Sequence, residues 1–211
     1  MSPEEAKAWL GESVSRETLE RLETYHTLLL KWQPTINLVA PATLGEAWQR
    51  HFVDSAQLFE HIPDGAERWL DLGSGGGFPG LVLAAMGAEA NTPLTVTLVE
   101  SDIRKCGFLR EVGRAMGVKV NILSRRISEV PNQSADVISA RALSGLDKLV
   151  DHAKPHLGAN TRLLFPKGSA WREELETLPA RWQTICEPIP SLTHDDAVIL
   201  KFDVGQLEGD A

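Results

Sequence analysis

Between Arg68 and Ala84 the chain reads RWLDLGSGGGFPGLVLA: a short apolar run closed by Asp71, then five glycines within residues 73–80, then an apolar helix-like run. Glycine at that density leaves backbone without Cβ atoms at the turn out of a strand. In open α/β sheets, ligands lie beyond the carboxyl ends of strands at such a turn. Two registers fit the spacing. Gly75-x-Gly77-x-x-Gly80 satisfies the dinucleotide fingerprint, with Glu100 at the distance of a ribose-binding carboxylate. Asp71-x-Gly73-x-Gly75 is the acidic-x-Gly-x-Gly pattern of S-adenosylmethionine enzymes.

The second register agrees better with the chemistry. Asp71 is a poor neighbour for a pyrophosphate and a good one for a cationic amine, directly or through water. Pro79 removes an amide donor that a pyrophosphate would use. Glu100 ends the strand-like LTVTLVE, where its two oxygens can accept from both ribose hydroxyls.

From residue 68 onward strand-like and helix-like runs alternate, which predicts a mostly parallel, Rossmann-like sheet with helices on both faces. The tail segments RWQTICEPIP and AVILKFD are expected to form a closing antiparallel hairpin. Residues 1–63 read as a short N-terminal helical extension to this core of residues 64–211, the whole forming one compact unit. Ser2, Pro3 and Glu5 make a capping box for a helix to about Gly11. Ser15 caps a second helix whose apolar face takes in Leu19, Leu22, Tyr25, Leu29, Leu30 and Trp32. His26 falls within that face and is expected as a hydrogen-bonded core histidine.

The chain has 211 residues, 43% of them hydrophobic, enough to bury a full core. No apolar run reaches membrane-span length and the first residues lack a signal-peptide pattern, so a cytoplasmic location is expected. Cys106 and Cys186 make neither a disulfide framework nor a zinc site, and no metal is expected. The formal charge of −8 argues against a protein that coats nucleic acid non-specifically, so any such contact must be a local basic patch. A monomer is the default expectation.

Beyond the loop, KWQPTINLVA, RHFVDSAQL, ESDIRKCGFLREV, SRRISEV, ISARALSGLDKLV and LLFPKG follow one another in order. With DLGSGGGFPGLVLA, these segments resemble the RsmG (GidB) family of 16S ribosomal RNA methyltransferases over roughly residues 25 to 170. The resemblance implies a class I methyltransferase fold, S-adenosylmethionine as cofactor, and the small ribosomal subunit or its 16S RNA as partner. It also implies methylation of N7 of guanosine 527 in the 530 loop. Carried over by position, the family's cofactor contacts fall on Gly73, Phe78, Ile127, Ser128 and Arg141. Family members often carry an acidic residue where this chain has Ser128; adjacent Glu129 is the other candidate for the adenine contact.

The residues agree with that chemistry. N7 of guanine has an available lone pair, so its methylation requires positioning and no general base. Neither cysteine is placed as the nucleophile that cytosine C5 methylation requires. The [DNS]PP[YFW] tetrapeptide of amino-nitrogen methylation is replaced by SARALS, which puts Arg141 at the mouth of the site to meet a carboxylate or a phosphate. Candidate RNA contacts are Lys31, Arg50, His51, the helical arc of Arg104, Arg110 and Arg114, and the strand-end residues Arg125, Arg126 and Lys167. Two other readings use the same features: an NAD(P)-dependent oxidoreductase, and a non-catalytic RNA-binding assembly module.

Overall fold

A computed structural model describes residues 1–89 and 94–208. Helix α1 (Pro3–Ser13) begins on the expected capping box, with the Ser2 hydroxyl accepting from the Glu5 amide and the Glu5 carboxylate accepting from the Ser2 amide. It runs past Gly11, because one glycine in a helix costs only about 1 kcal/mol and nothing stops the chain before Val14. Helix α2 (Arg16–Trp32) starts on the Ser15 side chain and buries Leu22, Tyr25 and Leu29. Leu30, expected on the same face, is 44% exposed; one residue beyond Leu29, it turns 100° off the buried stripe. His26 also departs from expectation: no hydrogen bond holds it among the described residues, and its half-buried ring packs on Trp48 at 5.0 Å. The chain then makes a 3-10 turn, a π-helical turn at Trp48–Val53 and one short helical turn, α3 (Asp54–Ala56).

Strand and helix then alternate as β1 (Arg68–Leu72), α4 (Gly80–Gly87), β2 (Thr95–Glu100), α5 (Ile103–Met116), β3 (Val120–Ser124), β4 (Ala135–Ser139), α6 (Leu146–Ala153) and β5 (Leu157–Lys167). Helices α7 (Trp171–Glu176) and α8 (Ala180–Thr184) lead to β6 (Cys186–Pro190) and β7 (Val198–Asp203). The sheet order is β3-β2-β1-β4-β5-β7-β6, parallel through β5, with β7 antiparallel to both neighbours. The tail hairpin forms, but Arg181–Thr184, read as strand, are the helical α8. That turn buries the Trp182 ring edge-on to Phe202 at 6.0 Å, and burial of a large aromatic decides the conformation of a short polar segment.

Alternation along each strand feeds two cores. Trp69, Val96, Leu98 and Val137 face α4, α5 and the N-terminal helices, while Leu70, Leu72, Val99 and Ile138 face α6, α7 and α8. Succession reverses at β1 and β4: from β1 the chain builds outward to β2 and β3, then crosses back to β4. This switch point is where open α/β sheets leave a crevice. Among the described residues no helix is long and apolar enough to cross a membrane.

Candidate functional site

A cleft of about 1290 Å³ opens at the carboxyl ends of the strands, above the switch point. Its floor is the Gly73–Phe78 loop, one wall is the ends of β2 and β3, and the other is residues 37–54 together with the turns after β4 and β5.

The glycines do different jobs. Gly73 and Gly75 have φ of +66° and +54°, which bends the loop back under the cleft, and a Cβ on Gly75 would meet little but the Gly73 carbonyl at 3.8 Å. The Leu143 side chain stands 2.6 Å from where a Cβ on Gly73 would lie, so of the two it is Gly75 that leaves a bare backbone surface. By contrast, a Cβ on Gly77 would lie 2.5 Å from Leu81, and one on Gly80 would lie 2.3 Å from Leu98. Gly76 is pressed the same way against the Leu38 carbonyl, at 2.9 Å. These three glycines therefore serve close packing of the chain on itself, where ligand approach alone had been the expected reason. Gly77 does not line the cleft.

Asp71 is a second departure. It is fully buried beneath the loop and does not line the cleft, so a direct contact with a bound amine is not open to it. Its Oδ1 accepts from the Ser139 hydroxyl at 2.8 Å, which in turn accepts from the Trp69 indole, while Oδ2 has no hydrogen-bond partner among the described residues. Burial pushes this carboxyl up to about 6, with the Ser139 hydrogen bond holding it lower than burial alone would.

Glu100 lines the cleft at the tip of β2. Its oxygens accept from the Gly75 amide at 2.9 Å and from the Asp102 amide at 2.8 Å, which ties the glycine loop to the second strand. Each carboxylate oxygen retains a further lone pair for a hydroxyl. Ile127 and Ser128 line the same wall in a 3-10 turn after β3, whereas Glu129 is exposed and does not.

Phe78 is 3% exposed, stacked on Tyr25 at 4.9 Å and edge-on to Phe52 at 5.2 Å, and only its margin reaches the cleft. The Arg141 guanidinium lies over it, 5.0 Å from the ring centroid, a favourable cation–π geometry. Nη1 of Arg141 donates to the Arg50 carbonyl at 2.8 Å, contacts His51 Nδ1 at 2.9 Å and lies 3.5 Å from Asp54 Oδ2. The residue after it, Ala142, has φ of +53°, a left-handed bend that costs about 1 kcal/mol for a non-glycine. Burial first, and the Arg141 and Arg50 charges next, pull the His51 imidazole down to about 3, so it is neutral at ordinary pH.

The expected basic residues divide into three groups. Arg50, Arg125 and Arg126 line the cleft, and no ion pair engages them among the described residues. Lys167 also lines it, but its ammonium is largely buried and bound to Glu174 at 2.6 Å and to the Ser144 carbonyl at 3.1 Å. Lys31, Arg104, Arg110 and Arg114 stand away from the cleft, with Lys31 facing Glu111 and Arg104 facing Asp102. A shared helix face does not bring the α5 arginines to the strand ends. Lys105 does line the cleft, because it sits in the first turn of α5, and residue type and position were the only signal for it. Thr193 and His194, from the β6–β7 connection, also line it; Thr193 donates to Asp54 Oδ1 at 3.0 Å and accepts from Gln49. Nothing local in the sequence announces contacts across 139 residues.

The site has the parts an adenosyl cofactor requires. A glycine floor with two left-handed turns, a carboxylate at the second strand and a guanidinium at the fourth all face one cleft. Comparison with known proteins gives the same direction. Residues 18–194 match the GidB family model, described as rRNA small subunit methyltransferase G. A protein of Jannaschia sp. (strain CCS1) called ribosomal RNA small subunit methyltransferase G is 61% identical over 210 residues, covering 100% of both chains. One of the same name from Paramagnetospirillum magneticum is 50% identical over 200 residues, covering 95% of this chain and 94% of its own. Among solved structures, an Aquifex aeolicus SAM-dependent methyltransferase has a TM-score of 0.52 at 16% identity, covering 77% of this chain and 94% of its own. A T. thermophilus 16S rRNA methyltransferase in complex with AdoMet and guanosine has the same TM-score at 14% identity, covering 71% of this chain and 38% of its own. At these identities the likeness is one of fold.

Proposed function

The chain belongs to the GidB family of small-subunit rRNA methyltransferases and is an S-adenosylmethionine-dependent enzyme, and on that premise we propose that it methylates N7 of guanosine 527 in 16S RNA, in the cytoplasm. The observation that carries the proposal is the arrangement along the strand ends. Ile127 and Ser128 after β3 suit the adenine, Glu100 after β2 the ribose, Gly73 and Gly75 after β1 the methionyl chain, and Arg141 after β4 its carboxylate. The target base then belongs on the far side of β4, against the wall of residues 37–54 and the Thr193–His194 turn.

The cofactor supplies an electrophilic methyl group; the chain supplies position. Glu100 accepts from hydroxyls while two backbone amides keep its carboxylate fixed. Arg141 is held on the Phe78 ring with its remaining N–H groups available to an anion. The acidic and imidazole groups nearest to it, Asp54 and His51, are both committed to hydrogen bonds within the chain. Such a site suits a nucleophile that already has a lone pair, as guanine N7 does. Cys106 is buried behind β2, donating to the Glu100 carbonyl, which disfavours covalent attack on a pyrimidine. Arg50, Lys105, Arg125 and Arg126 ring the cleft and suit phosphates on either side of an unstacked base.

Labelled methyl transfer from S-adenosylmethionine to small subunits lacking the modification, followed by mass mapping, tests the proposal. Label on guanosine 527 alone is expected. Label on another nucleotide, with 527 unmodified, would overturn the assignment of target.

A further inference from the structure

The Arg141 guanidinium is oriented by more than its own strand. Its Nη1 meets the Arg50 carbonyl and His51 Nδ1, at 2.8 and 2.9 Å, so both hydrogens of that nitrogen are directed into the wall of residues 37–54. A guanidinium can only donate, so His51 Nδ1 must accept and carries no proton. The imidazole hydrogen is then on Nε2, which lies 2.9 Å from Thr43 Oγ1, and the Thr43 hydroxyl donates onward to the Ala40 carbonyl at 2.8 Å. The relay runs one way, Arg141 to His51 to Thr43 to Ala40, and engages both ring nitrogens of His51 and the Thr43 hydroxyl. Residues 90 positions apart meet in it, and the His51 ring also packs on Phe78 at 5.1 Å, beneath the same guanidinium. His51 is 7% exposed and so fixed in place.

Committing Nη1 to the wall leaves the Nε–Nη2 edge, which has no partner among the described residues and belongs to a side chain lining the cleft. That edge is the side-on fork that matches a carboxylate with two parallel hydrogen bonds. We infer that His51, through the unprotonated Nδ1 it presents to Arg141, is a positioning residue that aims the Nε–Nη2 edge at the carboxylate of the cofactor's methionyl group. The inference rests on the reading of Arg141 given above. Its burial and the two neighbouring arginine charges keep the imidazole neutral, which the acceptor role requires; a protonated ring would donate at Nδ1 and repel the guanidinium.

The test compares two ligands of the full-length protein by calorimetry: S-adenosylhomocysteine, and 5′-deoxy-5′-methylthioadenosine, which keeps the nucleoside and lacks the amino-acid end. Wild type is expected to favour the first, and Arg141→Ala to lose most of that preference. His51→Ala should lose about tenfold in the preference through S-adenosylhomocysteine alone, with affinity for methylthioadenosine within about twofold of wild type. His51→Asn, whose amide oxygen can accept where Nδ1 does, should recover most of the loss. Thr43→Val, which frees the far end of the ring, gives a smaller loss of the same kind and serves where His51→Ala does not fold.

A His51→Ala protein that keeps the full preference while Arg141→Ala loses it would overturn the role of His51 and leave that of Arg141 standing. Equal loss of both ligands would also overturn it, since that marks a merely structural residue. An Arg141→Ala protein with unchanged preference would remove the premise itself.

Discussion

The two walls of the cleft are built on opposite plans. One is local: the glycine floor, Glu100, and Ile127 with Ser128 come from three successive strand ends within residues 73–128, and backbone amides do much of the holding. The other is assembled from afar: Arg141 after β4 meets the Arg50 carbonyl, His51 and Asp54 of the N-terminal turns, Thr193 from the tail meets Asp54, and Lys167 at the end of β5 lines the same wall. A local wall is fixed by backbone geometry and a distant one by hydrogen-bonded pairs. Single substitutions should therefore fail differently in the two: in the floor by steric conflict, in the far wall by loss of a partner.

The largest effect is expected where the floor presses on its own chain. Gly77→Ala places a Cβ 2.5 Å from Leu81 at φ of +93°, and overpacking plus the left-handed strain should cost about 2–4 kcal/mol in urea unfolding. Gly75→Ala, with open space above it, should cost about 1 kcal/mol and act mainly on cofactor affinity. Equal losses at both positions would break the distinction between packing glycines and ligand-facing ones.

Next comes a pair of opposed pH effects. The Asp71 carboxyl is raised to about 6 from 3.8, so its contribution is whole below about pH 4 and is lost as pH rises through 6, a fall of about 2–3 kcal/mol. The His51 imidazole is depressed to about 3 from 6.5, so its contribution is present above pH 6.5 and is lost as pH falls towards 3. The two slopes oppose each other between pH 4 and 6. Unfolding measured across that range should show a steeper gain of stability with pH in Asp71→Asn, and a steeper loss in His51→Asn. A wild-type slope retained in both variants would contradict the burial argument for each group.

Among the cleft cations the comparison becomes one of stability against RNA affinity. Lys167→Ala leaves Glu174 without its ammonium and should cost about 1–3 kcal/mol of stability, with little change in the salt dependence of RNA binding. Arg125→Ala with Arg126→Ala should leave stability within about 0.5 kcal/mol and lower the slope of log affinity against log salt by about 1.5. Smallest of all, replacing Arg104, Arg110 and Arg114 by alanine should leave RNA affinity nearly unchanged, since none of them lines the cleft. A large loss from that triple variant would place RNA along α5 and not across the strand ends.

The fold was legible because each level of the sequence agreed with the next. Alternating runs, the capping box at Ser2 and the strand tip at Glu100 each specify a local conformation, and the parallel order follows from them. The local wall shared that legibility. Two of its expected residues lie off the cleft surface for physical reasons: strand alternation places the Asp71 side chain on the α4 side of the sheet with Trp69, beneath the loop, and Gly77 packs against Leu81. The distant wall was legible only as residue types. Arg141 and His51 could be singled out, but their contact depends on how the N-terminal turns dock, which no short-range pattern encodes. Periodicity chose Arg104, Arg110 and Arg114 for sharing a helix face, although only the first turn of α5, at Lys105, reaches the cleft. Arg181–Thr184 turned helical for a related reason, since the demand of Trp182 for burial outweighed weak local preference.

The proposed methyl transfer requires position and no proton removal, since its target nitrogen already holds a lone pair. It is tested most directly by measuring labelled methyl incorporation into small subunits reconstituted with 16S RNA carrying 7-deazaguanosine at position 527, beside subunits carrying guanosine there. Full incorporation is expected with guanosine and none with the deaza base, whose ring position 7 is carbon. Undiminished incorporation at the deaza nucleotide would contradict it, because the methyl would then have gone to another atom of the base.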